Sequence, residues 1–233
     1  MDSSPSEKLT KGLDGLYERC LGYYKQGARF AKWRAVITIG EGIPSDECIQ
    51  ANASALAKYA KACQDAELVP IVEPEVLMDG DHTIETCYEV SEKTLKNVFK
   101  ELENEGVYLP GILLKPNMVI SGSECNVQGD TMAVAEMTVK CLGASVPAEV
   151  PGIVFLSGGQ SEVEATEHLN AMNKMGDHSW ALSFSYGRAL QQSALKTWNG
   201  QKDNLESTYA VFHHRAEMNS LACSGEYTSS LEI

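Results

Sequence analysis

Charged side chains stand in or directly after three apolar runs of the sequence, where a buried β-strand has no structural need of them. They are Lys32, Arg34, Glu73, Glu75 and Lys115. An isolated charge is too costly to bury, so lysines and glutamates that meet in such a place must neutralise one another or change their protonation. The five residues are therefore candidates for a functional site rather than for a core.

Lys115 has two possible roles. It could act as an amine nucleophile, because a lysine in apolar surroundings beside a second cation such as Lys32 loses its proton more readily and can attack a carbonyl carbon. It could instead be a strand-end lysine that forms a salt bridge to a neighbouring glutamate. The presence of Lys32 favours the nucleophile, without excluding the salt bridge.

The segment from Glu73 to Glu75 offers a pair of carboxylates. If the two share a site, repulsion between like charges keeps one of them protonated, and that group could donate a proton near neutral pH. If they do not, the segment is an inert acidic turn at the end of a strand. The residues alone leave both interpretations open.

Two glycine-containing turns could bind an anion. Ser157 and Gly158 begin one turn, Gly187 and Arg188 lie in the other, and each stands between a predicted strand and a predicted helix. Glycines let backbone N–H groups approach an anion, helix amino termini favour negative charge, and arginine adds a fork-shaped cation. Two tight turns without a ligand are the alternative. Consecutive turns at the end of a βα series match the phosphate site of barrels, so we predict phosphate binding here.

Residues with strand and helix patterns alternate along the chain. Helices are predicted over residues 7–26, 44–63, 83–103, 131–142, 161–175, 187–198 and 204–221, and strands over residues 33–39, 68–73, 112–115, 153–156 and 180–184. Such alternation predicts a parallel sheet of the α/β class, either a closed barrel or an open doubly wound sheet. Both architectures place their sites at the carboxyl ends of the strands. Because side chains two residues apart share a face of a strand, Lys115 is expected to point the same way as Asn117.

Composition and charge exclude several classes of protein. The chain has 233 residues, a formal net charge of −13 and a pI of about 4.8, so a nucleic acid is not an expected partner. Seven cysteines without a Cys-x-x-Cys pair indicate reduced thiols in the cytoplasm and no structural zinc. The histidines lack metal-ligand spacing. The polar amino terminus is neither a signal nor a transit peptide, and no apolar stretch is long enough to span a membrane.

Five blocks of the sequence resemble class I fructose-bisphosphate aldolases, in the same order and at closely similar spacing. The blocks are residues 32–34 (Lys-Trp-Arg), 72–75 (Val-Glu-Pro-Glu), 113–118 (Leu-Leu-Lys-Pro-Asn-Met), 155–161 (Phe-Leu-Ser-Gly-Gly-Gln-Ser) and 184–190 (Phe-Ser-Tyr-Gly-Arg-Ala-Leu). The likeness extends over about residues 12–227. The number and order of the blocks make it highly specific.

The resemblance implies a TIM barrel of the (β/α)8 type and a lyase that works through a lysine Schiff base. Lys115 would form the Schiff base, and Glu73 would be the acid and base for imine formation and C–C cleavage. Glu75 and Lys32 would be its partners in charge and proton handling. No metal and no other cofactor would take part, because the imine itself serves as the electron sink.

The substrate implied by the resemblance is fructose 1,6-bisphosphate, which would be cleaved to dihydroxyacetone phosphate and glyceraldehyde 3-phosphate. Ser157, Gly158, Gly187 and Arg188 would hold one phosphate, and Arg34 would contribute at the other end of the sugar. The resemblance also implies a homo-oligomer, since the family is usually tetrameric.

The resemblance begins partway into the family's chain, whose members carry a longer amino-terminal part with the first three barrel strands. We therefore expect residues 1–233 to form a single, incomplete barrel domain with about five of the eight βα units. Residues 1–11 would be a polar amino-terminal extension, and residues 222–233 a carboxy-terminal tail. The alternative to an aldolase is a truncated, non-catalytic protein of the same ancestry that binds partner chains.

Overall fold

Strands and helices alternate along the chain, as the sequence pattern predicts. The computed structural model describes residues 6–232. Its strands are β1 (Phe30–Ile37), β2 (Val69–Val76), β3 (Leu113–Leu114), β4 (Gly152–Phe155) and β5 (Ala181–Phe184). They pair in parallel in the order β1-β2-β3-β4-β5. The predicted parallel α/β sheet is confirmed, and the carboxyl ends of the five strands lie along one edge.

Seven α-helices accompany the sheet in the described residues. They are α1 (Leu16–Lys25), α2 (Asp46–Asp65), α3 (Ile84–Asn104), α4 (Thr131–Ser145), α5 (Glu162–Lys174), α6 (Arg188–Trp198) and α7 (Leu205–Cys223). Four of them follow a capping residue whose side chain accepts a hydrogen bond from the backbone N–H three residues later. The capping residues are Ser45, Thr83, Asp130 and Ser161. Such caps satisfy donors that the first helical turn leaves without partners, and they explain where these helices begin.

The hydrophobic core lies between the helices and one face of the sheet. Val72, Leu114 and Ile153 are register partners on three adjacent strands, and all three are fully buried. They belong to the same cluster as Leu56 of α2 and Leu102 of α3. Neighbouring parallel strands present paired residues on the same face, so the face with these three residues is the one that the helices cover. The opposite face carries the charged residues described below.

Helix α1 is shorter than the sequence pattern predicts, so the prediction of a helix from residue 7 was wrong. The backbone of Gly12 has φ 126° and that of Gly15 has φ 62°, conformations that do not continue a right-handed helix. Before these glycines, Glu7 is buried and its carboxylate accepts hydrogen bonds from the backbone and hydroxyl of Ser45. Residues 1–5 of the expected amino-terminal extension lie outside the described residues.

Strand β3 is also shorter than predicted, and two prolines explain this. The N–H of Lys115 donates to the carbonyl of Val72 at 2.7 Å, so a continued ladder would need residue 74 to donate to the carbonyl of Lys115. Residue 74 is proline and has no N–H. On the other side of β3, Pro116 cannot donate to β4. Regular pairing therefore stops at the edge where the charged residues gather.

Candidate active site

Glu73 lies between two lysines at the carboxyl edge of the sheet. Its Oε1 is 3.0 Å from Lys115 Nζ, and its Oε2 is 2.8 Å from Lys32 Nζ. The side chain of Glu73 is 4% exposed and that of Lys115 is 11% exposed, whereas that of Lys32 is 41% exposed. One buried carboxylate thus bridges a buried amine and an amine open to solvent.

The register of the strands brings these three residues together. Lys32 pairs with Ile71, and Ile71 pairs with Leu113, so the residues two positions further along β2 and β3 are Glu73 and Lys115. Side chains two residues apart share a face. Glu73 therefore lies on the Ile71 face of β2, and the contact of Lys115 with Glu73 places the lysine, one residue beyond β3, on the same side.

Both oxygens of the Glu73 carboxylate face a lysine amine. The contact from Lys32 to Oε2 is an ion pair by distance but is not aligned as a hydrogen bond, and Oε2 accepts no hydrogen bond from the described residues. Buried carboxylate oxygens are normally hydrogen-bonded. The charge on this oxygen is thus offset by the Lys32 amine rather than by a hydrogen bond.

Glu75 forms a separate ion pair with Arg34. The guanidinium Nε donates to Glu75 Oε2, and this hydrogen bond raises the pKa of Arg34 above its usual value. Glu75 is buried, while nearly half of the Arg34 side chain is exposed. Each carboxylate of the Glu73–Glu75 segment therefore has its own cationic partner on β1. Ion pairing, rather than repulsion between the two acids, governs the electrostatics of the segment.

Asn117 does not share a face with Lys115, so that prediction was wrong. Its amide donates to Ser91 of α3 at 3.1 Å, and its Oδ1 accepts from the N–H of Val76 at 3.0 Å. Lys115 instead reaches Glu73 on the opposite face. The period of two holds only within a regular strand, and β3 ends at Leu114 because of Pro116. That proline was the available signal in the sequence.

The turn after β4 requires glycine at two positions. Gly158 has φ 32° and Gly159 has φ 79°, in the left-handed region where residues with a Cβ are strained. A Cβ at Gly159 would also lie 2.8 Å from Cγ of Met78, and Ser157 at the start of the turn is buried. Gly158 lines a neighbouring recess of about 380 Å³ that also contains His168. The turn holds Ser157 in a fixed place beside the start of α5.

Helix α6 begins without a side-chain cap at Gly187, unlike α2 to α5. Arg188 is exposed at its first position. A recess of about 590 Å³ lies beside this helix start, and its lining includes Ser157, Gly159 and Arg188. The structure thus brings the two glycine turns together, with a cation and an uncapped helix amino terminus at one recess. Such ends attract anions.

A buried arginine joins the helices that follow the two glycine turns. Arg215 of α7 donates to both carboxylate oxygens of Glu232 at 2.9 and 2.6 Å, and to Thr166 of α5 at 3.2 Å. Glu162, the first residue of α5, lies 3.7 Å from Arg215 and accepts from Ser193 of α6 at 2.6 Å. The residue types gave no sign of this network, because its members are far apart in the sequence.

We expect Glu232 to make stability depend on pH. Burial acts to raise the pKa of Glu232, but hydrogen bonds from Arg215 and Tyr227 outweigh it, so the pKa in the folded state is lowered. A carboxylate whose pKa is lower in the folded than in the unfolded state stabilises the fold at any pH above its unfolded-state pKa. That stabilisation is lost as the pH falls through the folded-state pKa. Glu232→Gln should cost about 2–3 kcal/mol at pH 7, since it removes the carboxylate that binds both guanidinium nitrogens of a buried arginine.

Urea unfolding of both proteins at pH 7 and at pH 3 measures this difference. The gap between wild type and Glu232→Gln should shrink at the lower pH, where wild-type Glu232 is itself protonated. Glu226→Gln is the matched control, because Glu226 is exposed on the same segment. If the difference in unfolding free energy between the two proteins does not change with pH, ionised Glu232 is not the source of the stabilisation.

Two properties of the described residues bear on other classes of function. Within residues 6–232, no group of three or more His, Cys, Asp or Glu side chains is arranged to hold a metal ion. None of the helices described is long and apolar enough to cross a membrane.

The fold and the site together define a parallel α/β protein with a lysine–glutamate–lysine cluster at the carboxyl edge of its sheet. The family model described as fructose-bisphosphate aldolase class-I matches residues 1–232. The chain belongs to the class I fructose-bisphosphate aldolase family.

Named relatives agree with this membership. A probable class 1 fructose-bisphosphate aldolase of Xanthomonas campestris is 56% identical over 224 residues, which are 96% of this chain and 67% of that protein. Fructose-bisphosphate aldolase of Plasmodium falciparum is 56% identical over 95% of this chain and 60% of its own length. A crystal structure of the P. falciparum aldolase in complex with TRAP and a small-molecule inhibitor superimposes with a TM-score of 0.96 at 54% identity, covering 98% of this chain and 67% of that one. The chain thus spans about three fifths to two thirds of the length of these relatives.

Proposed function

We propose that this protein is a fructose-bisphosphate aldolase of glycolysis and gluconeogenesis, which cleaves fructose 1,6-bisphosphate through a Schiff base on Lys115. One observation carries the proposal: a buried carboxylate, Glu73, contacts the Lys115 amine at 3.0 Å and a second amine, Lys32, at 2.8 Å. An amine nucleophile needs an adjacent group that accepts and returns protons. The membership of the family supports this reading over that of a structural salt bridge.

In the proposed reaction, the Lys115 amine attacks the keto carbon of the open-chain sugar, and a C–N bond forms. Glu73 protonates the resulting hydroxyl, which leaves as water and yields the iminium ion. Loss of the proton from the hydroxyl on C4 then breaks the C3–C4 bond. The bonding electrons move into the iminium to give an enamine, and glyceraldehyde 3-phosphate is released.

The second half of the reaction regenerates the amine. A proton adds to C3 of the enamine, and water hydrolyses the imine to release dihydroxyacetone phosphate and free Lys115. The iminium is the electron sink throughout, so the proposed steps require no metal. Glu73 is placed to move these protons, because its Oε1 lies 3.0 Å from the Lys115 amine. Lys32 faces the other oxygen of that carboxylate, and Glu75 orients Arg34 beside it.

We propose that one phosphate of the sugar binds at the recess beside α6. Ser157, Gly159 and Arg188 line this recess. We extend the site to the adjacent backbone of Gly158 and Gly187, and Arg188 would supply a bidentate cation. The uncapped amino terminus of α6 supports this assignment. Arg34 would assist at the other end of the sugar, since nearly half of its side chain is exposed while Glu75 fixes its guanidinium.

We further infer that the sheet is an arc of an eight-stranded barrel and that residues 1–233 form one such partial domain. Strands β1 and β5 are the edges of the described sheet. Phe30 and Val69, register partners on the face that carries Glu73, are 65% and 40% exposed, as an opened lumen would leave them. The family is usually tetrameric, so we propose a homo-oligomer, and the free thiols of all seven cysteines favour a cytoplasmic location.

The test is to trap the imine. The folded chain is mixed with dihydroxyacetone phosphate and reduced with borohydride, and the labelled peptide is located by mass spectrometry. We expect one adduct, on Lys115. Folded protein that forms no adduct would overturn the proposal and would favour a non-catalytic relative that binds partner chains.

A further inference from the structure

The carboxyl ends of β2 and β3 are not joined by regular backbone pairing at the proposed reaction centre. The last ladder hydrogen bond runs from the N–H of Lys115 to the carbonyl of Val72 at 2.7 Å. The next donor would be residue 74, which is a proline. Glu73 and Lys115 thus stand at a break in the ladder, and backbone pairing beyond this bond does not fix their separation.

Asn117 closes this break with its side chain. In a continued ladder the N–H of Val76 would donate to the backbone carbonyl of residue 117, and here it donates to Asn117 Oδ1 at 3.0 Å. Val76 and Asn117 are both buried, so water cannot replace this bond freely. A side-chain amide therefore takes the place of a main-chain group two residues after Lys115.

The amide of Asn117 is itself held in one orientation. Its Nδ2 donates to Ser91 Oγ at 3.1 Å and to the carbonyl of Met118 at 3.0 Å. These two bonds fix which end of the amide faces Val76, because only the oxygen can accept from an N–H. Helix α3, through Ser91, thus supports the joint between the two strands.

We propose that Asn117 is a positioning residue for the Schiff-base reaction: it sets the distance between Glu73 and Lys115 by joining the strand ends that carry them. The inference rests on the proposed function for its kinetic consequence. Asn117 lies on the helix side of the sheet and does not contact the charged cluster, so its effect on the reaction passes through the backbone of β2 and β3. Displacement of reacting groups by about 1 Å can cost on the order of 100-fold in rate.

The test compares Asn117→Leu with Thr138→Val. Asn117→Leu leaves the N–H of Val76 without its acceptor. Thr138→Val likewise removes an acceptor, because the N–H of Val119 donates to Thr138 Oγ1 at 2.9 Å. Val119 is close to Asn117 in the chain, but its bond does not link β3 to β2. Both variants should lower the melting temperature to a similar degree. Asn117→Leu alone should lower the rate of adduct formation and kcat by about 10- to 100-fold with little change in KM.

Asn117→Asp keeps an acceptor oxygen toward Val76 and should recover part of the lost rate if it folds. Equal rates in folded Asn117→Leu and wild type, or an equal loss in Thr138→Val, would overturn the inference. If wild type itself forms no adduct, the proposed function fails, and hydrogen exchange of the peptide containing Val76 then decides only whether Asn117 joins the ends of β2 and β3. Faster exchange in Asn117→Leu than in Thr138→Val supports this link, and equal exchange overturns it.

Discussion

Lys115→Arg should form no borohydride-trapped adduct and should lower turnover by roughly five to six orders of magnitude, the scale on which loss of a covalent nucleophile acts. Arginine retains the positive charge that faces Glu73 at 3.0 Å, so the buried carboxylate keeps a counter-ion. Its guanidinium stays protonated in proteins and cannot attack a carbonyl. The substitution therefore separates the electrostatic role of Lys115 from its chemical role.

The measurement is the labelled fraction of each lysine peptide after reduction, together with the rate of cleavage. Lys58→Arg is the matched control, because Lys58 is exposed on α2, away from the sheet edge. Lys32 is the natural competitor, since it faces the other oxygen of the same carboxylate. An adduct that persists on Lys32 in the Lys115→Arg variant would show that the nucleophile has been assigned to the wrong amine.

The charged cluster was predictable because it depends on local rules. Strand and helix patterns predict parallel strands, parallel strands place their carboxyl ends at one edge, and a period of two places Glu73 on the polar face. Only the register was missing from the sequence. The pairing of Lys32 with Ile71 and of Ile71 with Leu113 supplies it and turns three candidates into one cluster.

The errors occurred where a local rule was interrupted. A helical spacing of apolar residues precedes α1, but Gly12 and Gly15 adopt positive φ and the helix begins only at Leu16. The spacing of apolar residues gives no information about backbone conformations that glycine alone adopts easily. Asn117 was placed on the wrong face for a similar reason, because Pro116 ends the regular strand before it.

The contacts of Arg215 could not be predicted at all. Its helix reads as a polar surface element, and nothing local marks one arginine as 4% exposed. Its partners Thr166 and Glu232 come from α5 and from the segment after α7, and only the folded chain brings them within hydrogen-bond distance. Long-range polar networks of this kind depend on the packing of whole helices rather than on the types of neighbouring residues.

Glu73→Gln should lower kcat by about 10²- to 10⁴-fold, the usual contribution of a positioned acid or base, with a smaller change in KM. Glutamine has nearly the same shape, but it cannot shuttle a proton, and it leaves the buried Lys115 amine without an anion. Adduct formation should slow in parallel, because loss of water from the first intermediate needs the same proton. Single-turnover rates of adduct formation and steady-state cleavage rates measure the two effects.

Glu75→Gln provides the comparison, because Glu75 is equally buried in the same strand but binds Arg34 instead of Lys115. Its loss frees a cation that we assign to the far end of the sugar, so we expect mainly a higher KM. The two glutamates of this strand would then differ in their kinetic effect, with Glu73 acting mainly on kcat and Glu75 mainly on KM. If both variants raise KM and leave kcat unchanged, Glu73 binds substrate without transferring protons, and the acid and base of the reaction must be sought elsewhere.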